Sequence, residues 1–332
     1  MSLLEVRNLS TRFKLIDHTV RAVDGISFSV EHNETLAIVG ESGCGKSVTA
    51  MSLMNLIQAP GEIDSSSEII FEGKNVLEMN DSELKELRGG KIAMIFQEPS
   101  ASFNPLFRIG SQIAEALKIH QGAAKDEALV QAEKLLDSVK ISEPDRRVKN
   151  YPFQLSGGML QRAMTALAIS CSPKLLLADE PTTALDVTIQ AQIIKLLQDE
   201  ASEKNMSIIF VTHDLELIDG FADRIMLLYA GRVFEQSTAP EFFDNPLHPY
   251  GEDLMNAIPR MGLFKDEHKL YTIKGQVPDE KSKPIGCAYA PRCRKCFDKC
   301  VNEEPPLFSV NSRNVRCWLF ENKNLSTDGE DK

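Results

Sequence analysis

The sequence lacks any apolar run near the ~20 residues that a membrane-spanning helix requires. Its longest such stretches, residues 175–178 and 225–230, have the length of buried strands. It also lacks a surplus of positive charge: 37 Lys and Arg stand against 48 Asp and Glu, a net charge of −11. That balance excludes nucleic acid as the main partner, because phosphate binding needs a basic footprint. It equally excludes direct attraction to an anionic membrane surface. The opening residues 1–7 have no basic segment followed by an apolar one, which reads against a signal peptide. No internal repeat is visible, and no low-complexity segment apart from a polar tail from Asn322. If the chain works at a membrane, other subunits must hold it there.

What is present is enough for a large core. The 332 residues are 42% hydrophobic, and that length predicts more than one domain. Four short apolar runs, residues 35–39, 91–96, 174–178 and 207–211, lack polar alternation, as strands covered on both faces do. Glycines or polar residues follow each run, where ligand loops sit in parallel sheets. Residues 3–13 and 20–30 alternate more and predict an antiparallel layer, whereas residues 111–171 read mainly as helix. Residues 224–235 read as a hairpin centred on Ala230-Gly231. After about Asn245, prolines at 246, 249, 259, 278, 284, 291, 305 and 306 break the chain into short pieces, as in a small accessory domain.

Gly40-Glu41-Ser42-Gly43-Cys44-Gly45-Lys46-Ser47 fits G-x-x-x-x-G-K-[ST], after a strand pattern and before the helical pattern of residues 47–57. The glycines let backbone N–H groups turn toward phosphate oxygens, and the following helix adds its positive end. Lys46 is placed to reach the β- and γ-phosphates of a nucleotide, and the Ser47 hydroxyl to hold Mg²⁺. Residues 175–178 lead into Asp179-Glu180: Asp179 can hold Mg²⁺ through its water shell. Glu180 stands where a general base would polarise the attacking water. Cys44, beside Lys46 at a helix start, has surroundings that favour thiolate, although a small residue in a variable slot explains it as well. Leu155-Ser156-Gly157-Gly158-Met159-Leu160-Gln161-Arg162 opens a helical pattern over residues 159–169, and such a start offers donors and a dipole to an anion. Alone, it would be only a helix cap.

Together these motifs resemble the ABC ATPase family, whose signature sequence is LSGGQ; here Met159 replaces the usual Gln and leaves Ser156, Gly157 and Gly158 intact. The resemblance covers roughly residues 2–245. It implies an α/β P-loop NTPase core with an antiparallel β subdomain, a helical subdomain and a small C-terminal cysteine-rich domain. The corresponding division is residues 1–97 and 171–245 for the ATP-binding core, 98–170 for the helical and signature subdomain, and 246–332 for the accessory domain. It also implies that Gln97 is the Q-loop glutamine contacting Mg²⁺ and the membrane partner. Thr183-Ala184-Leu185-Asp186 would be the D-loop, His213 the switch histidine at the γ-phosphate, and Phe13 the aromatic that stacks on adenine. Two cassettes would pack head to tail, ATP held between one P-loop and the other's signature, with coupling to the permease through Gln97 and residues 98–170.

The C-terminal sequence narrows the resemblance. Asn245-Pro246-Leu247-His248-Pro249-Tyr250, Gly286-Cys287 and Pro291-Arg292-Cys293 resemble the ATPases of dipeptide and oligopeptide importers. That resemblance implies ATP, Mg²⁺ and a [4Fe-4S] cluster on Cys287, Cys293, Cys300 and Cys317, with Cys296 spare. Spacing alone would choose Cys293, Cys296 and Cys300 on one helix face, Zn²⁺ suits four thiolates too, and free structural cysteines are the plain alternative. It further implies two transmembrane permease subunits, a second ABC ATPase (a related partner or a second copy), an extracytoplasmic peptide-binding protein, and a place on the cytoplasmic face of the cell membrane. An importer of another substrate, such as nickel, and a non-transport ABC ATPase are the alternatives. The 132 residues between Lys46 and Asp179 are too few for the coiled coils of DNA-repair relatives. A single P-loop argues against a tandem-cassette translation factor, and no Asn-Lys-x-Asp guanine motif appears.

Overall fold

The computed structural model describes residues 2–183, 185–258, 271–278 and 283–325. Its first half opens with β1 (Leu4–Lys14), β2 (Thr19–Val30), β3 (Thr35–Val39), α1 (Lys46–Leu53), β4 (Gly61–Ile63), β5 (Glu68–Phe71), β6 (Lys74–Asn75), α2 (Asp81–Leu87) and β7 (Ile92–Ile95). Five helices follow before the next strand: α3 (Pro99–Ser102), α4 (Ile109–Gln121), α5 (Lys125–Ser138), α6 (Pro144–Arg147) and α7 (Gly157–Ile169). Then come β8 (Leu175–Asp179), α8 (Val187–Lys204), β9 (Ser207–Thr212), β10 (Arg224–Tyr229), β11 (Arg232–Thr238), α9 (Ala239–Asp244) and α10 (Pro249–Ala257). Past these lie α11 (Asp298–Asn302), β12 (Phe308–Val310) and β13 (Arg313–Val315).

The main sheet runs β12-β13-β11-β10-β3-β9-β8-β7. Its central strands pair in parallel, β10 with β3, β3 with β9, β9 with β8 and β8 with β7. A second, antiparallel sheet runs β2-β1-β5-β6, with β4 also on β1.

Successive strand residues point to opposite faces, and the core splits accordingly. Leu36, Ile38, Ile209, Val211, Leu175 and Leu177 face the antiparallel sheet and α1, sharing one cluster with Leu4, Val6, Ile26 and Leu53. Ala37, Val39, Ile208, Phe210, Leu176 and Ala178 face the other way and pack with residues of α4, α5, α7 and α8. The run of buried apolar side chains along each central strand follows from this double covering.

The C-terminal portion corrects the expectation of a small cysteine-rich domain. β13 pairs antiparallel with β11 and β12 with β13, so this part of the chain extends the main sheet. Tyr250 and Tyr289 are buried in the same cluster as Tyr229 of β10. Glu235 of β11, 1% exposed, fastens the junction: its carboxylate accepts the N–H groups of Leu247 (2.9 Å) and His248 (2.8 Å) and the guanidinium of Arg313. Burial raises the Glu235 pKa, opposed by those donors. The prolines marked local breaks, and the short pieces between them still pack on the parent sheet.

Candidate nucleotide site

The loop from Gly40 to Ser47 joins β3 to α1. Gly40 has φ 155°, and a Cβ there would lie 2.2 Å from the carbonyl oxygen of Leu228; Gly45, at φ 103°, would strike the carbonyl of Ala22 at the same distance. Only glycine fits both places. Gly43 and Ser42 are exposed at the loop's outer face. They line a cavity of about 480 Å³ with Val20, Ala22 and Gly231.

Lys46 is buried and donates to the carbonyls of Gly40 (2.8 Å) and Glu41 (3.1 Å), so its ammonium is held inside the loop. Ser47 donates to Asp179 Oδ1 at 3.0 Å, which ties the start of α1 to the end of β8. Burial raises the Asp179 pKa, helped by the neighbouring Glu180 charge and opposed by Ser47 and Lys46.

Four further groups converge on Glu180. Gln97 Nε2 donates to Oε2 at 2.9 Å and the Thr183 hydroxyl to the same oxygen at 3.0 Å. His213 Nδ1 lies 3.1 Å from Oε1, and Lys46 Nζ 3.9 Å from that oxygen. A carboxylate can only accept, so the His213 proton sits on Nδ1. Burial works against the charge on Glu180, but the hydrogen bonds from His213 and Thr183 and the nearby Lys46 outweigh it and leave its pKa lowered. Its backbone has φ 47°, a conformation costly for a residue with a side chain and concentrated at functional sites.

The signature forms a second, separate pocket. Ser156 caps α7, its hydroxyl accepting from Met159 N at 3.3 Å, and Ser156 and Gly157 are exposed. With Gly158, Leu185 and Asp186, Ser156 lines an open hollow that shares no residue with the P-loop cavity. Asp186 caps α8 by accepting from Ile189 N at 3.0 Å. Arg162 of α7 ties that helix to the end of α5 by donating to the carbonyls of Val139 (3.2 Å) and Lys140 (3.0 Å), and to α8 by donating to the side chain of Gln192 (2.5 Å). Ala184 of the D-loop lies outside the described residues.

Phe13 is half-buried on β1, with its ring against Gly61. Cys44 is buried, and burial outweighs Lys46 and pushes its thiol up to about 11, which favours the small packed residue over the reactive thiolate.

The cysteine cluster is corrected as well. Among the described residues, no group of three or more His, Cys, Asp or Glu is arranged to hold a metal ion, and the cysteines are free. Cys287, Cys293, Cys300 and Cys317 do come together around one small apolar hollow, but as packing residues. Cys287 and Cys300 belong to the core with Tyr289, and Cys317 to a small cluster with Phe308, Val315 and Phe320. Burial pushes the thiols of Cys287 and Cys293 up to about 11 and that of Cys317 up to about 12. The helix α11 spans only 298–302, so Cys293, Cys296 and Cys300 do not share a helix face, and Cys296 is exposed. The described residues therefore support neither the [4Fe-4S] cluster nor its Zn²⁺ alternative.

The sequence reading missed Thr183 as a partner of Glu180, although it stands three residues on. It also missed Val277, Pro278 and Lys283, which close the far side of the P-loop cavity from the C-terminal part of the chain.

A glycine-cradled loop, a lysine held within it and a strand-end acid pair define a P-loop nucleotide-binding protein. Comparison with known proteins narrows this. Residues 23–183 match the family model "ABC transporter", and residues 234–300 match "Oligopeptide/dipeptide transporter, C-terminal region". The chain is 46% identical to the oligopeptide transport ATP-binding protein AppD of Bacillus subtilis over 96% of this chain and 97% of that protein. It is 47% identical to the oligopeptide transport ATP-binding protein OppD of Haemophilus influenzae over 97% and 98%, respectively. The dimeric structure of the ATP-binding cassette MJ0796 bound to ADP and Pi superposes with a TM-score of 0.65 at 27% identity, covering 71% of this chain and 98% of that one. The chain belongs to the ABC transporter ATPases, in the group that carries an oligopeptide/dipeptide transporter C-terminal region. No helix among the described residues is long and apolar enough to cross a membrane.

Proposed function

We propose that this chain is the ATP-binding and ATP-hydrolysing subunit that powers import of di- or oligopeptides. The observation that carries the reading is the convergence of Gln97, Thr183, His213 and Lys46 on the Glu180 carboxylate, beside the Ser47–Asp179 pair. In this reading Glu180 takes the proton of the attacking water. Its lowered pKa keeps it ionised at neutral pH, and Gln97 and His213 hold the carboxylate in line. Lys46 leaves the loop carbonyls for the β- and γ-phosphates, and the loop N–H groups of residues 42–47 donate to phosphate oxygens. The hard oxygen donors of Ser47 and Asp179, with the amide oxygen of Gln97, suit Mg²⁺, which when bound would neutralise charge on the phosphates. Phe13 is kept as the stacking partner of adenine.

The open hollow of Ser156, Gly158 and Asp186, with the exposed Gly157 next to Ser156 in the chain, is assigned to the nucleotide of a second cassette, either another copy or a related ATPase. ATP bridging the two would stabilise the closed pair, and its hydrolysis would release it. Residues 1–97 and 171–245 act as the ATP-binding core, residues 98–170 as the subdomain that meets two transmembrane permease subunits at the cytoplasmic face, and residues from 246 on as an extension of the core. Peptide as the cargo, captured by an extracytoplasmic binding protein, is supported by the C-terminal match and the relatives' names.

The test is Glu180→Gln. Turnover of Mg-ATP should fall by about 10²–10⁴-fold, the usual worth of a general base, while ATP still binds and an ATP-dependent dimer accumulates in sedimentation. Near-normal turnover removes Glu180 from this role. For the cargo, cells lacking the chain should lose uptake of labelled di- and oligopeptides and keep that of nickel; the reverse pattern replaces the substrate class.

A further inference from the structure

The P-loop is gripped from a part of the chain far beyond it. Glu41, the residue after Gly40, has every polar group engaged. Its N–H donates to the Tyr250 hydroxyl at 2.8 Å, and its carbonyl accepts Lys46 Nζ at 3.1 Å. Its carboxylate receives both terminal nitrogens of Arg292, at 2.5 and 2.9 Å.

Arg292 is itself fixed. Its Nε donates to the Lys274 carbonyl at 2.8 Å and one terminal nitrogen to the Tyr229 hydroxyl at 3.1 Å. Its guanidinium carbon lies 5.8 Å from the ring centre of Tyr229 and 5.7 Å from that of Tyr289. Its side chain is 5% exposed. Tyr250 is equally constrained, buried against Tyr229 and Tyr289 with ring centres at 4.8 and 5.1 Å, its N–H donating to His248 Nδ1 at 3.0 Å.

The loop motif leaves this position open, and a carboxylate there repels the polyphosphate the loop is built to hold. Arg292 both cancels that charge and, through a two-pronged contact that fixes direction as well as distance, sets where the loop begins. We propose that Arg292, seconded by Tyr250, is a positioning residue for nucleotide binding: it neutralises Glu41 and holds the first turn of the P-loop in its phosphate-receiving shape. The proposal rests on the ATPase reading above and adds a requirement that lies outside the ATP-binding core.

The experiment is steady-state Mg-ATP hydrolysis by the full chain, with KM and kcat separated. Arg292→Ala leaves Glu41 charged and unpaired, so KM for ATP should rise about tenfold while kcat stays within about threefold, as expected when preorganisation and charge balance of the ground-state site are lost. The double variant Glu41→Gln/Arg292→Ala removes the stranded charge and should recover KM to within about threefold of wild type. A brace that only stabilised the fold would show no such recovery. An unchanged KM in Arg292→Ala, a loss confined to kcat, or a double variant as impaired as the single one overturns the proposal. If Arg292→Ala does not fold, Arg292→Lys and Tyr250→Phe carry the test, each expected to raise KM about threefold through loss of one directed contact; normal KM in both overturns it. A wild-type chain without Lys46-dependent hydrolysis would instead sink the ATPase reading, whereas an active wild type with indifferent Arg292 variants sinks only the brace.

Discussion

The P-loop end and the signature end of this chain carry motifs of similar length and glycine content, yet the fold treats them in opposite ways. Around Gly40–Ser47, polar groups are satisfied from within: Lys46 by loop carbonyls, Ser47 by Asp179, Glu180 by Gln97, Thr183 and His213. Around Ser156–Gly158 the helix start is exposed, and its single side-chain cap is Ser156 itself. One end is a site whose polar groups are completed within the chain. The other is an exposed helix start, which suits a nucleotide delivered on another molecule. A motif therefore announces chemistry, and its burial tells whether that chemistry is completed within the chain.

The contrast can be broken experimentally. The largest effect belongs to Lys46→Ala, which should lower ATPase by about 10²–10³-fold, the scale for losing a preorganised charge partner, and also weaken binding of a fluorescent ATP analogue. Retained tight binding would show that the loop does not depend on its lysine. Ser156→Arg should cost nearly as much turnover, about a hundredfold, but leave nucleotide binding to the isolated chain unchanged. Mixing the two inactive variants should restore part of the activity if the chain pairs with itself, since one composite site would then be intact. Loss of binding in Ser156→Arg alone would mean that the two ends are not separate.

Smaller effects sharpen the picture. Phe13→Ala should raise KM for ATP about two- to tenfold, matching the ~0.5–1.5 kcal/mol of an aromatic contact, with kcat unaltered; no change would return Phe13 to its packing against Gly61. The smallest expected effect is none. A maleimide at pH 7 should label Cys296, which is exposed, and spare Cys44, leaving ATPase intact. Because the Cys44 thiol is pushed up to about 11, its thiolate fraction and labelling rate should climb about tenfold per pH unit toward that value. Rapid, ATP-protected inactivation at pH 7 would show that the loop opens far more than its packing implies.

Much of the core was legible because its signals are local. Thr35–Val39, Ser207–Thr212 and the strand before Asp179 are short apolar runs next to loop chemistry, and the structure makes each a central strand. The antiparallel layer and the hairpin at Ala230-Gly231 followed from alternation and turn residues. What escaped was long-range. Tyr250 and Arg292 meet Glu41 across 209 and 251 residues of sequence, and no periodicity records such a meeting. The cysteines misled for a different reason. Spacing counts thiols but not their surroundings, and a thiol packed among aromatic rings behaves as a small apolar group. Prolines likewise mark breaks without saying what the pieces between them pair with, so the joining of β12 and β13 to the main sheet was not legible.

The contact between Glu41 and Arg292 has a consequence for how the protein comes into being. Chains are synthesised N-terminus first and domains fold as they emerge. The P-loop therefore leaves the ribosome 251 residues ahead of the guanidinium that steadies it. During that interval the nascent chain holds a recognisable nucleotide motif with a bare carboxylate at its mouth. Tight ATP binding should thus arrive late in translation, when the C-terminal segment docks, so that an incomplete cassette does not engage nucleotide before the rest of it exists.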